Sequence, residues 1–309
     1  DRKTSPFLGR SPPRRRKPNL AVKPPPFDYY EPASLDEALT LMSDLDDAKV
    51  LAGGQSLMPM LNMRYVVPQS IVDLNRIQEL QFCRIEDESL VIGCMTRQRD
   101  LETSSLAREK VPLLVEALSH VGHLQTRTRG TLGGSLCHLD PAAELPVVAL
   151  ALDATLRVRS SDATRDIDIR DFPAFYMTPD LEPNEILTEI TFPVRVVGAG
   201  YAFEEFARRH GDFAMISVAV SLKVDSGLIV YARIAIGGAG AVPQRAESLE
   251  KGLIGQRPDE DALAEAMNSL DDVECIGDIH ASAEYRRHLL ISLTRRAITR
   301  AALQAVGEL

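Results

Sequence analysis

The sequence predicts an α+β protein built from two domains. Its 309 residues exceed the usual size of a single domain, about 100–150 residues. Before residue 198, short strand patterns alternate with helical stripes of apolar residues. After it, residues 214–224 and 228–237 form two strand patterns around Asp225-Ser226-Gly227, a hairpin signal, and helices follow. The change at the predicted hinge, 197–200, separates a larger mixed part from a smaller part with an antiparallel sheet and helices.

The larger part opens with a clear helix signal. Ser34-Leu35-Asp36-Glu37 is a capping box, in which the serine hydroxyl reaches forward and the glutamate carboxylate reaches back. The apolar stripe of this helix consists of Leu35, Ala38, Leu39, Met42 and Leu45. Further strands are predicted at 49–52, 70–74, 90–93, 156–159 and 187–192, and further helices from Thr96 and at 112–121, 146–152, 262–270 and 283–306.

Composition and charge exclude several classes of protein. Hydrophobic residues make up 45% and charged residues 26%, as in globular proteins. The sequence contains no run of 18 apolar residues, so no transmembrane segment is predicted. Residues 1–22 carry a net charge of +6, so the other 287 residues carry −15. An acidic body argues against nucleic-acid binding. The basic, proline-rich residues 1–22 are expected to form a disordered extension.

The candidate metal ligands do not form a recognisable pattern. Cys83, Cys94, Cys137 and Cys275 are scattered without CxxC spacing, which indicates reduced thiols in a cytoplasmic protein. His120 and His123 lie three residues apart on a predicted helix, but no third ligand has matching spacing. We therefore predict no metal ligand on this chain.

Two glycine segments are the strongest candidates for a binding site. Ala52-Gly53-Gly54-Gln55-Ser56 directly follows a predicted strand, and Thr131-Leu132-Gly133-Gly134-Ser135 lies about 75 residues later. Glycine lets the backbone approach a diphosphate closely and adopt left-handed φ values that point N–H groups at an anion. Ser56, Thr131 and Ser135 add hydroxyl groups. Neither segment matches the GxGxxG or the GxxxxGK[ST] pattern, which argues against a Rossmann nicotinamide domain and an NTPase.

Four segments of the chain carry a family resemblance. Residues 52–59 and residues 130–135, followed by 140–146, resemble the two flavin loops of the FAD-binding subunit of the molybdenum hydroxylases. Residues 207–214 and 284–287 resemble two further signatures of that family. The family includes the medium subunit of carbon monoxide dehydrogenase and the central part of xanthine dehydrogenase. The resemblance covers residues 23–306 in order.

This resemblance implies a fold, a cofactor and partners. The fold is a two-subdomain FAD-binding domain of the vanillyl-alcohol-oxidase/PCMH type over 23–198, followed by a C-terminal domain of the CO dehydrogenase flavoprotein type over 199–309. The role is to take electrons from iron–sulfur clusters of a partner and pass them through FAD to an acceptor. The implied partners are a large subunit with the molybdopterin cofactor and a small iron–sulfur subunit, in a dimer of heterotrimers.

The resemblance also implies which residues bind FAD. They are Ala52, Gly53, Gly54, Gln55, Ser56 and Leu57 in the first segment, Thr131, Gly133, Gly134 and Ser135 in the second, and Val121, Gly122, Glu144 and Leu187. Glu144 replaces the usual Asp, Gln55 a common His and Ser135 a common Asn. Glu204 stands where the eukaryotic xanthine enzymes carry Lys, so we expect a carboxylate that disfavours an anionic reduced flavin. No catalytic residue is predicted on this chain.

Two other interpretations stay open on the sequence. A free-standing flavin oxidase of related fold often holds its flavin covalently, and only Cys137 or His138 would offer an attachment near the glycine segments. A scaffold that merely resembles the family would bind no flavin at all.

Overall fold

The computed structural model describes residues 22–308. The expected disorder of the N-terminal extension concerns residues that lie outside this range, apart from Val22. The strands are β1 (Asp28–Tyr30), β2 (Ala48–Leu51), β3 (Ser70–Asp73), β4 (Cys83–Glu86), β5 (Ser89–Gly93), β6 (Thr155–Arg159), β7 (Thr164–Asp168), β8 (Pro173–Phe175), β9 (Thr178–Pro179), β10 (Ile186–Pro193), β11 (Ala199–Phe206), β12 (Ile216–Asp225), β13 (Leu228–Gly237) and β14 (Gln244–Arg245). The α-helices are α1 (Leu35–Asp44), α2 (Leu57–Met63), α3 (Gln98–Thr103), α4 (Ser105–Lys110), α5 (Pro112–Leu118), α6 (Leu124–Arg129), α7 (Leu132–His138), α8 (Glu144–Ala151), α9 (Glu247–Leu253), α10 (Glu260–Ala266) and α11 (Ala283–Ala305).

The first subdomain is a three-stranded parallel sheet in the order β1-β3-β2. Helix α1 packs on it through the predicted stripe, of which Leu35, Ala38, Leu39 and Met42 are buried. The Ser34 hydroxyl accepts a hydrogen bond from the Glu37 N–H at 3.3 Å, as the capping box predicts. The Glu37 carboxylate accepts from the Ala33 N–H at 2.8 Å, one residue before the expected serine.

The second subdomain is a five-stranded antiparallel sheet in the order β4-β5-β10-β6-β7. Helix α7 packs on β10 and α4 on β4 of this sheet, whereas α8 packs on β12 and β13. Helix α8 is buried along its whole length, and its residues are apolar all round after the first. Strands β8 and β9 form a separate small hairpin. Helices α6 and α7 are absent from the sequence prediction because each is a short element of six or seven residues with little apolar periodicity.

The C-terminal domain is a four-stranded antiparallel sheet, β11-β12-β13-β14, with α11 packed across β11 and β12. The predicted hairpin is confirmed: Ser226 and Gly227 both have positive φ, 51° and 78°, as a two-residue turn of this kind requires. A Cβ on Gly200 would overlap the carbonyl oxygen of Ala301, so glycine here lets α11 approach β11 closely. Among residues 22–308, no helix is long and apolar enough to cross a membrane.

One carboxylate joins the two domains. Asp153 follows α8 and accepts hydrogen bonds from Arg233 at 2.9 Å and Arg245 at 2.7 Å, both on the C-terminal sheet, and from Arg170 at 2.8 Å. Burial alone would raise the pKa of Asp153, but hydrogen bonds from Arg233 and Arg170 hold it below its usual range. The contribution of this carboxylate to stability is therefore present at neutral pH and is lost as the pH falls through its lowered pKa.

We expect Asp153→Asn to lower the free energy of unfolding by about 2 kcal/mol at pH 7, because three arginines lose a charged acceptor. Urea unfolding followed by circular dichroism measures this difference, which should shrink as the pH falls through the lowered pKa of Asp153. The matched control is Asp162→Asn, in an exposed turn, which should leave stability unchanged. An Asp153→Asn variant as stable as wild type at pH 7 would contradict the structural role of this carboxylate.

Candidate functional site

The first glycine segment offers unused hydrogen-bond donors. It connects β2 to α2, and Gly54 has a left-handed φ of +74°. Among the described residues, no acceptor takes the backbone N–H of Gly54, Gln55 or Ser56. Successive free N–H groups in such a turn form a concave donor surface that suits an anion. The Gln55 amide does not fill it, since this side chain is exposed and donates to the Gly53 carbonyl at 3.2 Å.

The two glycine segments touch at Gly53. A Cβ on this residue would overlap the carbonyl oxygen of Arg129 and lie 2.8 Å from the Gly130 Cα. Gly53 is therefore needed where one backbone rests on the other. On the second segment, a Cβ on Gly134 would lie 3.4 Å from the Ala52 Cβ. The sequence expectation that both segments belong to one site agrees with this contact.

The second segment is a helix start, whereas the sequence analysis treated it as a loop. Thr131 caps α7, and the N–H groups of its first turn already have acceptors within the protein. Leu132 donates to the Thr96 carbonyl at 3.1 Å, Gly133 to the Cys94 carbonyl at 2.9 Å and Gly134 to the Thr131 hydroxyl at 3.0 Å. These three N–H groups therefore do not form the second half of a donor surface. Ser135 is half-buried one residue further along α7.

Close packing explains why residue 133 is a glycine. A Cβ at this position would lie 2.5 Å from the Cys94 Cβ and 2.8 Å from the Cys94 carbonyl oxygen. Glycine lets the first turn of α7 rest directly on the end of β5. A side chain at position 133 would therefore enter the core beside Cys94.

A polar network that the sequence did not predict holds the first glycine segment in place through hydrogen bonds. Asn75 donates to the Ala52 carbonyl at 2.9 Å, and Arg97 donates to the Asn75 side-chain oxygen at 2.6 Å and to the Arg129 carbonyl at 2.5 Å. Burial and the neighbouring Arg129 guanidinium lower the pKa of Arg97. The residues come from three separate elements, so no spacing in the sequence could have indicated them.

The first segment lines a cavity of about 370 Å³. Its wall also includes Asp73, Asn75 and Arg129. The sequence predicts that backbone N–H groups of the glycine segments point at the anion. The fold adds Arg129 to the cavity wall, and the Arg97 guanidinium donates a hydrogen bond to the backbone carbonyl of Arg129. The wall also carries the Asp73 carboxylate, which already accepts hydrogen bonds from the Tyr29 hydroxyl and the Asn75 N–H. The free N–H groups and Arg129 are the features that suit a phosphate-bearing ligand.

Val121 and Gly122 lie in a turn after α5, which ends at Leu118. His120 and His123 are therefore not on one helix as predicted. Gly122 has a φ of +47°, and Arg127 fixes the turn by donating to the Val121 carbonyl at 2.9 Å. Across the turn, a Cβ on Gly211 would lie 2.5 Å from the His123 ring. The segment 207–214 of the C-terminal domain thus packs directly on this turn.

Glu144 is the first residue of α8 and is only 5% exposed. Burial, with a smaller contribution from the nearby Glu205 carboxylate, raises its pKa to about 7, while a backbone hydrogen bond at Glu144 and the nearby His120 oppose this shift. Glu205 accepts from His120 at 3.2 Å. Glu204 points to the other face of β11, where it pairs with Arg296 and Arg300 on α11. Side chains alternate along a strand, so Glu205 faces Glu144 while Glu204 faces the two arginines, and the expected effect of Glu204 on a reduced flavin stays a prediction.

Leu187 lies on β10 within the core and is 3% exposed. The following carbonyl, of Thr188, accepts from the Cys94 N–H at 2.9 Å, which links this strand to the packing of Gly133.

The structure thus joins Ala52–Ser56 with Thr131 and Gly134 in one place, and Glu144 with the turn after α5 in another. Leu57 begins α2 beside the first segment.

The candidates for covalent attachment are poorly suited to it. Burial raises the pKa of the Cys137 thiol to about 12, so it carries almost no reactive thiolate at neutral pH. Burial also lowers the pKa of His138. All four cysteines are free. Among the described residues, no group of three or more His, Cys, Asp or Glu side chains could hold a metal ion.

Comparisons with known proteins agree with this fold. Residues 25–195 match the model of the FAD binding domain in molybdopterin dehydrogenase, and residues 201–301 match that of the CO dehydrogenase flavoprotein C-terminal domain. The beta subunit of caffeine dehydrogenase from Pseudomonas sp. (strain CBB1) is 41% identical over 284 residues, which are 91% of this chain and 96% of the relative. The carbon monoxide dehydrogenase medium chain of Hydrogenophaga pseudoflava is 34% identical, over 90% and 98% of the two chains.

Solved structures extend this similarity to three dimensions. Quinoline 2-oxidoreductase from Pseudomonas putida 86 contains a chain that superposes with a TM-score of 0.88 at 36% identity, covering 93% of this chain and 99% of that one. Carbon monoxide dehydrogenase from Hydrogenophaga pseudoflava gives 0.87 at 34% identity, covering 90% and 98%. The fold and site define an FAD-binding subunit of an oxidoreductase. More particularly, the chain belongs to the family of FAD-binding medium subunits of the molybdenum hydroxylases. This confirms the predicted α+β fold class, FAD as the cofactor and the assignment to a multi-subunit dehydrogenase.

We expect Gly133→Ala to lower the free energy of unfolding by about 1–3 kcal/mol, because the new methyl group overpacks the contact with Cys94. The measurement is urea unfolding of FAD-free protein, so that loss of the cofactor cannot contribute. Gly252→Ala is the matched control: it lies in α9 with its nearest contact at 3.7 Å, and alanine should leave stability unchanged or raise it by up to about 1 kcal/mol. Equal stability of Gly133→Ala and wild type would contradict the packing role.

Proposed function

We propose that this chain binds FAD non-covalently and passes electrons from the iron–sulfur clusters of a partner through FAD to an acceptor. Its partners are a large subunit with the molybdopterin cofactor, on which the substrate is oxidised, and a small iron–sulfur subunit. We propose a dimer of such heterotrimers in the cytoplasm, where free thiols of the kind found at all four cysteines persist. The domain bounds 23–198 and 199–309 stay a prediction.

The observation that carries this proposal is the first glycine segment with its free N–H groups. Gly54 and Gln55 present free N–H donors at the cavity wall, and Ser56 adds a third directly after them. Arg129 adds a positive charge to the wall. A diphosphate needs both a close backbone approach and compensation of its charge. Ala52 and Leu57 flank the segment, and the isoalloxazine and ribityl parts of FAD supply the redox chemistry and hydroxyl groups when bound.

The other predicted residues have supporting roles in the proposal. Gly53 and Gly134 allow the two segments to meet, and Thr131 and Ser135 present hydroxyl groups on α7. Val121 and Gly122 contact the cofactor through their backbone. Glu144 hydrogen-bonds a cofactor hydroxyl, and Leu187 supports the ring from the core. Gly133 supports this arrangement through packing on Cys94.

The competing interpretation is an oxidase with covalently attached flavin. The Cys137 thiol argues against attachment because its raised pKa, about 12, leaves almost none of the reactive thiolate at neutral pH. Precipitation with acid tests the alternative: yellow colour released to the supernatant supports the non-covalent site, whereas colour retained in the pellet supports the oxidase. Protein that carries no flavin under any condition would support a scaffold role.

We expect Gly54→Val to weaken FAD binding at least tenfold, about 1.4 kcal/mol, with the fold retained. Valine is strained at a φ of +74°, and its Cβ would lie 3.2 Å from Met58. Flavin absorbance per chain and the Kd of the reconstituted protein measure the effect. Gly227→Val is the matched control, because it has a φ of +78° at the tip of a hairpin with no atom within 4 Å. Full FAD affinity in Gly54→Val, or an equal loss in both variants, would show that this segment is not the cradle.

We also expect the isolated chain not to oxidise the substrate of the complex. A nicotinamide reduces its flavin only slowly, and steady turnover appears on reconstitution with the molybdenum and iron–sulfur subunits. The assay compares turnover of N-heterocycles and aldehydes by the purified chain, checked by mass spectrometry for absence of partners, with that of the reconstituted complex. Turnover by the chain alone would exclude the electron-transfer role and support the oxidase.

A further inference from the structure

Three titratable side chains from three elements meet at the seam between the two domains. His120 lies in the turn after α5, Glu144 begins α8, and Glu205 belongs to β11 of the C-terminal domain. We call these three residues the seam cluster. The turn that carries His120 continues directly into Val121 and Gly122, which the proposed function assigns to the flavin site together with Glu144.

The geometry of the seam cluster leaves one carboxylate oxygen without a partner. The His120 Nδ1 lies 3.2 Å from one Glu205 oxygen, and the imidazole ring packs edge-on against Phe203 at 5.2 Å between centroids. The other Glu205 oxygen is buried and has no hydrogen-bond partner among the described residues. An orphaned acceptor of this kind is costly unless it binds a proton or a donor.

The charges around the seam cluster are mostly negative. Glu116 on α5 and Asp140 before α8 also face it. Arg300 from α11 is bonded to Glu116 and to Glu204, and so does not neutralise the cluster itself. His120 is the one imidazole among these carboxylates, and its hydrogen bond to Glu205 raises its pKa although burial opposes this.

We propose that His120, Glu144 and Glu205 form one proton-binding unit that takes up a proton when the neighbouring flavin site is reduced. The inference rests on the proposed function, because it requires FAD beside Val121 and Gly122. A buried site of low dielectric resists added negative charge unless a nearby group compensates it. The seam cluster has the vacant oxygen and the carboxyl groups to provide that compensation.

The balance of the step is simple. For each pair of electrons that the site receives from the iron–sulfur partner, the cofactor binds one proton from solvent. A carboxylate oxygen of Glu144 or Glu205 binds a second proton, forming one O–H bond. When the pair of electrons leaves to the acceptor, both protons return to solvent. His120 is a positioning residue in this step, since it holds Glu205 by its hydrogen bond.

The first test needs no flavin. Infrared spectroscopy of the FAD-free protein should show the band of a buried carboxylic acid at pH 6 that disappears as the pH rises to 8, because burial raises the pKa of Glu144 to about 7. Glu144→Gln should lack this band. A wild-type spectrum without any protonated carboxyl at pH 6 would overturn the proposal.

The second test counts protons with a pH indicator during anaerobic reduction of the FAD-loaded chain at pH 8, above the pKa of about 7 of Glu144, so that this carboxyl is largely deprotonated before reduction. Wild type should take up one proton more per electron pair than Glu144→Gln and Glu205→Gln. The matched control is Glu204→Gln, the neighbouring carboxylate on the opposite face of β11, which should behave as wild type. Glu144→Gln and Glu205→Gln change different residues of the seam cluster. If one of these variants does not fold, proton uptake by the other still tests the proposal.

The outcomes separate the two proposals. Equal proton uptake in all four proteins would overturn the role of the seam cluster, as would an equal loss in Glu204→Gln. A wild-type chain that binds no flavin would instead contradict the proposed function, and the inference would fall with it.

Discussion

The contact between Gly53 and the Arg129 carbonyl decides how the candidate site is built. It lets the turn after a parallel strand of the first subdomain rest on the C-terminal end of α6 in the second, directly before α7, with no side chain between them. Any larger residue would separate the two backbones. The network of Asn75, Arg97 and the Arg129 carbonyl then fixes the turn, so that the N–H groups after Gly53 stay directed at the cavity.

The two glycine segments look alike in sequence but do different work. The first segment leaves its N–H groups free. The N–H groups of the second donate to the carbonyls of Cys94 and Thr96 and to the hydroxyl of its capping residue. The composition of both segments predicts a close backbone approach, and both show one. Sequence alone could not tell whether the approaching group is a ligand or another strand. That distinction depends on β5, which lies almost 40 residues before the second segment and shows no motif connecting them.

The sequence predicted regular elements well where one local signal was strong. The capping box of α1 and the hairpin at Ser226 and Gly227 appear in the structure because each depends on neighbouring residues only. The two faces of β11 could not be told apart in the sequence, since Glu204 and Glu205 are both charged and their alternation does not indicate which side chain faces which neighbour. Tertiary packing decides it: α11 supplies two arginines to Glu204, and the turn after α5 supplies His120 to Glu205. The same reasoning explains why Arg97 and Asn75 were missed, because the fold alone brings them to the site.

The central claim is that the first segment, and not the second, holds the diphosphate by its backbone. Amide hydrogen exchange resolved by residue in NMR tests this most directly, with FAD-free and FAD-loaded protein compared. The account predicts that exchange at Gly54, Gln55 and Ser56 slows on FAD binding, while Leu132, Gly133 and Gly134 are slow in both states because their acceptors lie within the protein. Unchanged exchange at 54–56, or protection gained only at 132–134, would contradict it.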